Sequence, residues 1–268
     1  MPEPAAPPAS TNGIEVLHGK GMWIWKYKRT EGGDAAKIVT RAKANGLRQL
    51  WVRLGDSRDG FYGASVLADL VPAAHRAGIA VIGWGFPYLY DPVGDAAWSR
   101  AALEWRGPGG AALDGFSADL ETDSEGVQLT PRRVAAYLGL VRAATGARPL
   151  VATVFRPTDR FWLGTYPYRV MASYVDAFAA MVYWGCTEPG AAVTQALERL
   201  SALRPVHAIG QGYDMAEDGG RPASPTAEET WRFLDVGERG GAVGASFWVW
   251  QDMLTPQWDA LRAFSWSA

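Results

Sequence analysis

The sequence predicts a single closed (β/α)8 barrel, a TIM barrel of the α/β class. Two observations carry that expectation. Apolar strand-like runs alternate with helix-periodic segments eight times, with short connections and no second zone of composition. The chain has 268 residues, the size of one such barrel. Strict alternation of strand and helix implies a parallel sheet. Eight units in roughly 250 residues imply that the sheet closes. A doubly wound open sheet would usually carry a glycine-rich phosphate loop after its first strand. Lys26-Tyr27-Lys28-Arg29-Thr30 stands there instead.

Residues 1–14 are set apart as a flexible Pro/Ala-rich leader, and 15–268 as the barrel domain. The first strand is expected over 21–27 (GMWIWKY), with Trp23 and Trp25 on one face. A helix over 34–45 has apolar spacing at Ala35, Ile38, Val39 and Ala42 and stops at Gly46. The second strand spans 49–54 and leaves through Gly55-Asp56-Ser57. Its helix covers 65–77 and stops at Gly78. The third strand, 79–86, runs into the aromatic loop Pro87-Tyr88-Leu89-Tyr90, followed by a helix over 95–105 and a glycine-rich turn at 107–110. The fourth strand opens at Asp114-Gly115. Thr130 caps the next helix with Pro131 at its first position, and the helix runs to Gly146. Strand five is 149–155, with a short helix at 168–175. Strand six is 177–184, followed by a helix over 191–203 with Pro205 beyond it. Strand seven is 206–211. Ser224 or Thr226 caps a helix ending near Gly240. Strand eight is 245–250, and Thr255 caps a last helix over 256–264.

Net charge is -2, so the composition shows no electrostatic footprint for nucleic acid or an anionic membrane. No apolar run approaches membrane-span length. Cys186 is the only cysteine, which removes a disulfide framework and a cysteine metal site. His18, His75 and His207 lack metal-ligand spacing and read as structural, His207 as a core histidine. No metal or cofactor is expected, and a monomer is. The start lacks the basic residues and apolar core of a signal peptide. Localisation therefore stays open, the leader being compatible with a linker left behind a removed secretion signal.

The most informative stretch is 114–126, DGFSADLETDSEG. Alternate side chains of a strand share a face, so Phe116, Ala118 and Leu120 point one way and Ser117, Asp119 and Glu121 the other. Buried carboxylates are costly without partners. They are expected where a barrel strand runs out into an active-site mouth. The other strand ends carry Trp25, Arg53, Asp56, Trp84, Tyr88, Arg156, Tyr183, Trp184, Gln211, Tyr213, Asp214, Trp248, Trp250 and Asp252. A rim rich in Trp and Tyr around carboxylates suits a sugar. Aromatic faces pack on its C–H faces, and a glycosidic bond needs a proton donor and a stabilised oxocarbenium-like transition state.

Asp114-Gly115-Phe116-Ser117-Ala118-Asp119-Leu120-Glu121 also resembles the strand-four signature of family 18 glycoside hydrolases, the chitinases and their relatives. That signature reads Asp-Gly-x-Asp-x-Asp-x-Glu. Met181-Val182-Tyr183 resembles the family's Met-x-Tyr on strand six, and Trp248 stands where the family places the Trp flooring the sugar subsite. The resemblance implies substrate-assisted hydrolysis of a glycan. Glu121 would be the general acid, and Asp119 would orient the substrate's acetamido group. Tyr183 would hydrogen-bond the acetamido carbonyl, which would attack the anomeric carbon. Ser117 departs from the pattern where the family has Asp, and Trp184 where many members have Asp. No room is left between strands seven and eight for the small extra domain of many chitinases.

Plainer readings stand beside these. Asp119 and Glu121 could instead form a structural ion pair with Arg53 or Arg156. Asp123 and Glu125 read as a solvated loop. Tyr183 and Trp250 fit either the site or packing, and Trp51, Trp98, Trp105, Trp231 and Trp266 read as packing. Three functions compete. One is a glycosidase cleaving a β-linked, N-acetylhexosamine-containing oligo- or polysaccharide. The second is a conventional two-carboxylate glycosidase drawing its second acid from Asp56, Asp214 or Asp252. The third is a catalytically silent sugar-binding barrel.

Overall fold

The structure is a computed structural model that describes residues 13–267. Of the leader expected over 1–14, residues 1–12 lie outside the described residues. Ile14 already belongs to a 3-10 turn, Ile14–Leu17, that puts Leu17 into the bottom of the barrel.

Nine strands and nine helices follow among the described residues. The strands are β1 (Gly19–Ile24), β2 (Leu47–Asp56), β3 (Gly60–Phe61), β4 (Ala80–Phe86), β5 (Gly115–Asp119), β6 (Leu150–Phe155), β7 (Ala177–Val182), β8 (Val206–Gln211) and β9 (Gly244–Trp248). All but β3 pair in parallel with their barrel neighbours, and the pairings of β1 with both β2 and β9 close the ring. The (β/α)8 barrel expected from the alternation is therefore present. The hairpin arm β3, antiparallel to the end of β2, went unread because two residues carry no periodic signal.

The helices are α1 (Ala35–Ala44), α2 (Ala64–Arg76), α3 (Pro92–Glu104), α4 (Pro131–Thr145), α5 (Asp159–Trp162), α6 (Tyr168–Ala172), α7 (Pro189–Leu200), α8 (Ala227–Arg239) and α9 (Thr255–Ala263). Thr130 caps α4, and Thr226 forms a full capping box with Glu229 on α8. Thr255 is not a cap. It is the first residue of α9, and Gln257 folds back to accept the Leu254 N–H. α3 starts at Pro92 behind Asp91, which leaves Asp95 inside the helix and buried. Its carboxylate accepts hydrogen bonds from the Ser57 hydroxyl, the Leu89 N–H and the Trp98 indole, and so ties the loops after β2 and β4 to α3. α5 was also unanticipated, and it lies in an irregular crossover between β6 and β7.

Two apolar layers result. Outward-facing strand residues such as Phe116, Ala118 and Leu120 pack under the helices. Inward-facing ones, led by Trp23, Trp51, Trp84, Ile82, Val151, Met181 and Ile209, fill the barrel. Trp23 stacks on Trp51 at 4.9 Å and 16°, and meets Trp84 edge-on at 5.5 Å. Three indoles fit one lumen because β5, β7 and β9 supply Ser117, Ala177, Ala179 and Ser246, all buried. Gly21 makes the same allowance: a Cβ there would lie 2.7 Å from Gln49 Oε1 and 2.9 Å from the Trp51 indole nitrogen. Beneath them His207 lies tilted against Trp51 at 4.9 Å and bonds the Leu17 carbonyl through Nδ1 at 3.0 Å. Burial pushes its pKa down to about 4, so it stays neutral, as expected for a core histidine.

Candidate active site

β5 ends at Asp119, and Glu121 follows one alternation later. Both carboxyls therefore stand on the interior side, at the carboxyl-terminal mouth of the barrel. Asp119 is 6% exposed, and among the described residues its Oδ1 has no hydrogen-bond partner. Burial pushes its pKa up to about 7, against the opposing pull of the Arg53 guanidinium. Glu121 is raised well above the usual carboxylate range, first by burial, then by Asp119 and by Glu125. Two carboxyls so placed hold at least one proton near neutral pH.

Trp84, at the end of β4, and Trp248, at the end of β9, meet edge-on at 5.4 Å over Trp23 and floor the mouth. Trp25, just past β1 and 39% exposed, stacks against Trp248 at 6.1 Å. The Lys26 ammonium lies 3.8 Å from the centroid of the Trp25 ring. The peptide bond between Trp248 and Val249 is cis. Arg53 lies over the Trp84 ring at 5.5 Å and pairs with Asp56 at 3.0 Å. Tyr183, just past β7, faces both Asp119 and Glu121, and these add to the burial that pushes its hydroxyl pKa well up. Tyr213 meets Tyr183 edge-on at 5.8 Å, and its hydroxyl donates to Asp218 at 2.7 Å. Asp119, Glu121, Tyr183, Trp25, Trp84, Trp248, Arg53, Asp56 and Tyr213 are thus gathered at one opening.

Other expected contributors lie elsewhere. Trp184 is buried under α8, its ring 5.4 Å from Phe233. Trp250 follows the end of β9 and turns outward. It packs edge-on against Trp258 at 4.9 Å, and its indole N–H donates to Glu31 at 3.2 Å. Strand alternation explains Trp184, one position past the inward-facing Tyr183, whereas Trp250 lies beyond the end of β9, where the alternation that turns Trp248 inward no longer applies. Gln211 is fully buried and spends its amide on backbone. It accepts from the Gly185 N–H and donates to the Tyr213 carbonyl, each at 2.9 Å, so it staples two mouth loops. Asp56 is tied down by Arg53 and by the Arg58 and Asp59 amides. Asp214 is exposed, with its carboxylate on the Ala216 N–H. Tyr88 belongs to a neighbouring cleft of about 870 Å³ with Ser57, Tyr90 and Gly126.

The ion-pair reading of the two acids fails on geometry. Arg53 pairs with Asp56, and Arg156 bonds Thr187 at 3.2 Å. Ser117 does not serve Asp119 either. Its hydroxyl pairs with that of Thr153 on β6 at 2.8 Å. Glu125, expected to be only solvated, is exposed yet acts on both acids. Thr153 and Tyr166 were missed. The register that sets Asp119 against Thr153 is invisible in sequence, whereas the aromatic run through Phe161, Trp162, Tyr166 and Tyr168 after strand five was a usable signal.

Among the described residues no cluster of His, Cys, Asp and Glu could hold a metal ion. Nor is any helix of the described residues long and apolar enough to cross a membrane.

No protein-family model matches the chain, and no curated protein sequence matches it. Solved structures do. A chitinase from Chromobacterium violaceum superposes with a TM-score of 0.68 at 13% identity, over 91% of this chain and 98% of that one. Active domain 2 of the thermostable chitinase from Pyrococcus furiosus, solved with chito-oligosaccharides, gives 0.64 at 14%, over 98% and 100%. The PgaB glycoside hydrolase domain from Bordetella bronchiseptica gives 0.65 at 10%, over 91% and 98%. The fold is that of the chitinase-like barrels. Identity this low carries the fold and not the chemistry. In this barrel a single helix, α8, connects β8 to β9.

The raised pKa of Asp119 makes a stability prediction. A carboxyl at 3.8 when unfolded and about 7 when folded keeps an extra proton in the folded chain between those values. Stability from that group is full below pH 4 and is lost as pH rises through 7. Asp119→Asn removes the titration. Urea unfolding should find the variant more stable than the parent at pH 8, by on the order of a few kcal/mol. The gap should close toward pH 4, and a pH-independent gap would contradict the burial of this carboxyl.

Proposed function

We propose that this chitinase-like barrel is a glycoside hydrolase acting on a β-linked glycan that contains N-acetylhexosamine, of the chitin or peptidoglycan kind. One observation carries the reading. Two carboxyls on one side of β5, both pushed toward their protonated forms, stand inside an opening walled by Trp25, Trp84, Trp248 and Tyr183. A protonated Glu121 would donate its proton to the glycosidic oxygen as the bond to the anomeric carbon breaks. The acetamido carbonyl oxygen of the same sugar would bond to that carbon in its place. The free Oδ1 of Asp119 suits the acetamido N–H, and the Tyr183 hydroxyl suits its carbonyl. Water would then open the ring so formed, its proton passing to the Glu121 carboxylate and restoring the acid. Of the carboxylates considered for a two-acid scheme, Asp56 is engaged by Arg53 and by its own turn, and Asp214 and Asp252 are exposed at the rim.

A silent sugar-binding barrel is the second reading. It is favoured by the pairing of Ser117 with Thr153, which leaves Asp119 without a hydrogen bond from the residue two before it on the strand. Crystals soaked with chito-oligosaccharides and cell-wall fragments, with turnover assayed on the same ligands, separate the two. An acetamido group between Asp119 and Tyr183 together with cleavage is the expected result. Binding with no turnover on any N-acetylated glycan favours the silent barrel. An acetamido group bound away from both residues ends the substrate-assisted mechanism.

A further inference from the structure

Glu121 lies beyond the last ladder residue of β5, so the sheet does not by itself hold it. The chain there is pinned twice. The Leu120 N–H donates to the Thr153 carbonyl at 3.0 Å, and the Leu120 carbonyl accepts the Tyr166 hydroxyl at 2.5 Å. Tyr166 comes from the irregular crossover between β6 and β7. Its ring is wedged among Phe155 at 5.9 Å, Phe161 at 5.7 Å and Tyr168 at 4.6 Å, and Phe155 and Phe161 themselves stack at 4.6 Å. The ring therefore cannot turn away, and its hydroxyl has a fixed place. We propose that Tyr166 is the positioning residue of the acid: by bonding the carbonyl that precedes Glu121 it fixes that side chain's direction and keeps water from its carboxyl. This rests on the reading of Glu121 as proton donor.

Several groups besides Tyr166 face Glu121. Asp119 and Glu125 do so from its own segment, Tyr183 from the end of β7 and Tyr213 from the loop after β8, while Arg53 acts on Asp119 from β2. None of them bonds the Leu120–Glu121 backbone. Removal of the Tyr166 hydroxyl leaves those charges in place and frees the Leu120 carbonyl, together with the Phe155 backbone that the hydroxyl also meets.

Tyr166→Phe keeps the ring and its packing. The expected result is a kcat lowered by roughly ten- to a hundredfold with KM nearly unchanged, since misplaced groups lose rate more than binding. The basic limb of the pH profile should move to lower pH as water reaches the carboxyl, by about one unit. A second readout needs no turnover: the 13C carboxyl resonance of Glu121, assigned by its loss in Glu121→Gln, should titrate at lower pH in Tyr166→Phe. Tyr168→Phe is the control. Its hydroxyl bonds Phe155 in the same crossover at 3.0 Å and not the acid's backbone, so it should leave that titration in place. An unchanged Glu121 titration in Tyr166→Phe, or an equal shift in Tyr168→Phe, overturns the inference whatever the activity. A shift confined to Tyr166→Phe in a protein that cleaves no glycan sustains the positioning role and sinks the hydrolase reading instead.

Discussion

Glu121→Gln should abolish most turnover while sparing glycan binding. The amide has the shape of the acid, so the aromatic walls and Asp119 keep their places, but it has no proton to give the leaving oxygen. General acid catalysis contributes about 10² to 10⁴ in rate, and a loss in that range is expected in kcat. An aryl glycoside whose leaving group departs unprotonated should recover part of it. The parent's pH profile belongs to the same prediction. The reaction needs Glu121 protonated, and burial with Asp119 and Glu125 beside it holds the proton on to higher pH than a surface glutamate could. Activity should therefore persist to higher pH than a surface glutamate would allow and fall as pH rises through that raised pKa. If Glu121→Gln cleaves an N-acetylated oligosaccharide at the parental rate, the acid lies elsewhere.

The largest effect on stability should come from Trp23→Ala. Trp23 is 1% exposed at the centre of the lumen, and its indole N–H donates to Ser246 Oγ at 2.8 Å. Removal leaves a cavity among Trp51, Trp84 and Trp248 and an unmatched hydroxyl on the neighbouring strand, β9. Trp-to-Ala changes in packed interiors cost about 3–5 kcal/mol. At the scaling for a domain of this size, Tm should fall by roughly 10 °C. Trp231→Ala is the comparison, because that ring is 44% exposed on α8 and touches Phe264 from one side. Urea unfolding should show a loss several times larger for Trp23. Equal losses would mean the lumen repacks. Trp23→Ala should also weaken sugar binding, since Trp84 and Trp248 rest on that indole.

Much of this molecule is legible in one dimension. Period-two and period-3.6 patterns are local, so eight strands and the long helices could be read, together with Thr130, Thr226 and most stop glycines. The apolar face of 114–121 and its acidic face could be separated by alternation alone, which put Asp119 and Glu121 at the mouth. What alternation could not say is where each strand ends. The apolar pattern carries strand eight to Trp250 and strand six to Trp184, two residues past where the ladders end, so it sets both on the rim, whereas both rings face the helices. Partners were equally out of reach. Asp119 is the nearest like-facing neighbour of Ser117 along the strand, but parallel register sets Thr153 within reach of its hydroxyl. The Tyr166 bond to Leu120 joins residues 46 apart in sequence through a crossover without periodicity.

The sequence by itself determined the barrel and the strand that carries the acids, because hydrophobic spacing and turn residues act over a few positions. Only the tertiary structure decided the protonation of those acids. Desolvation depends on every wall of the mouth at once: the tryptophans of β1, β4 and β9, Tyr183 after β7, and the backbone pinned by Tyr166.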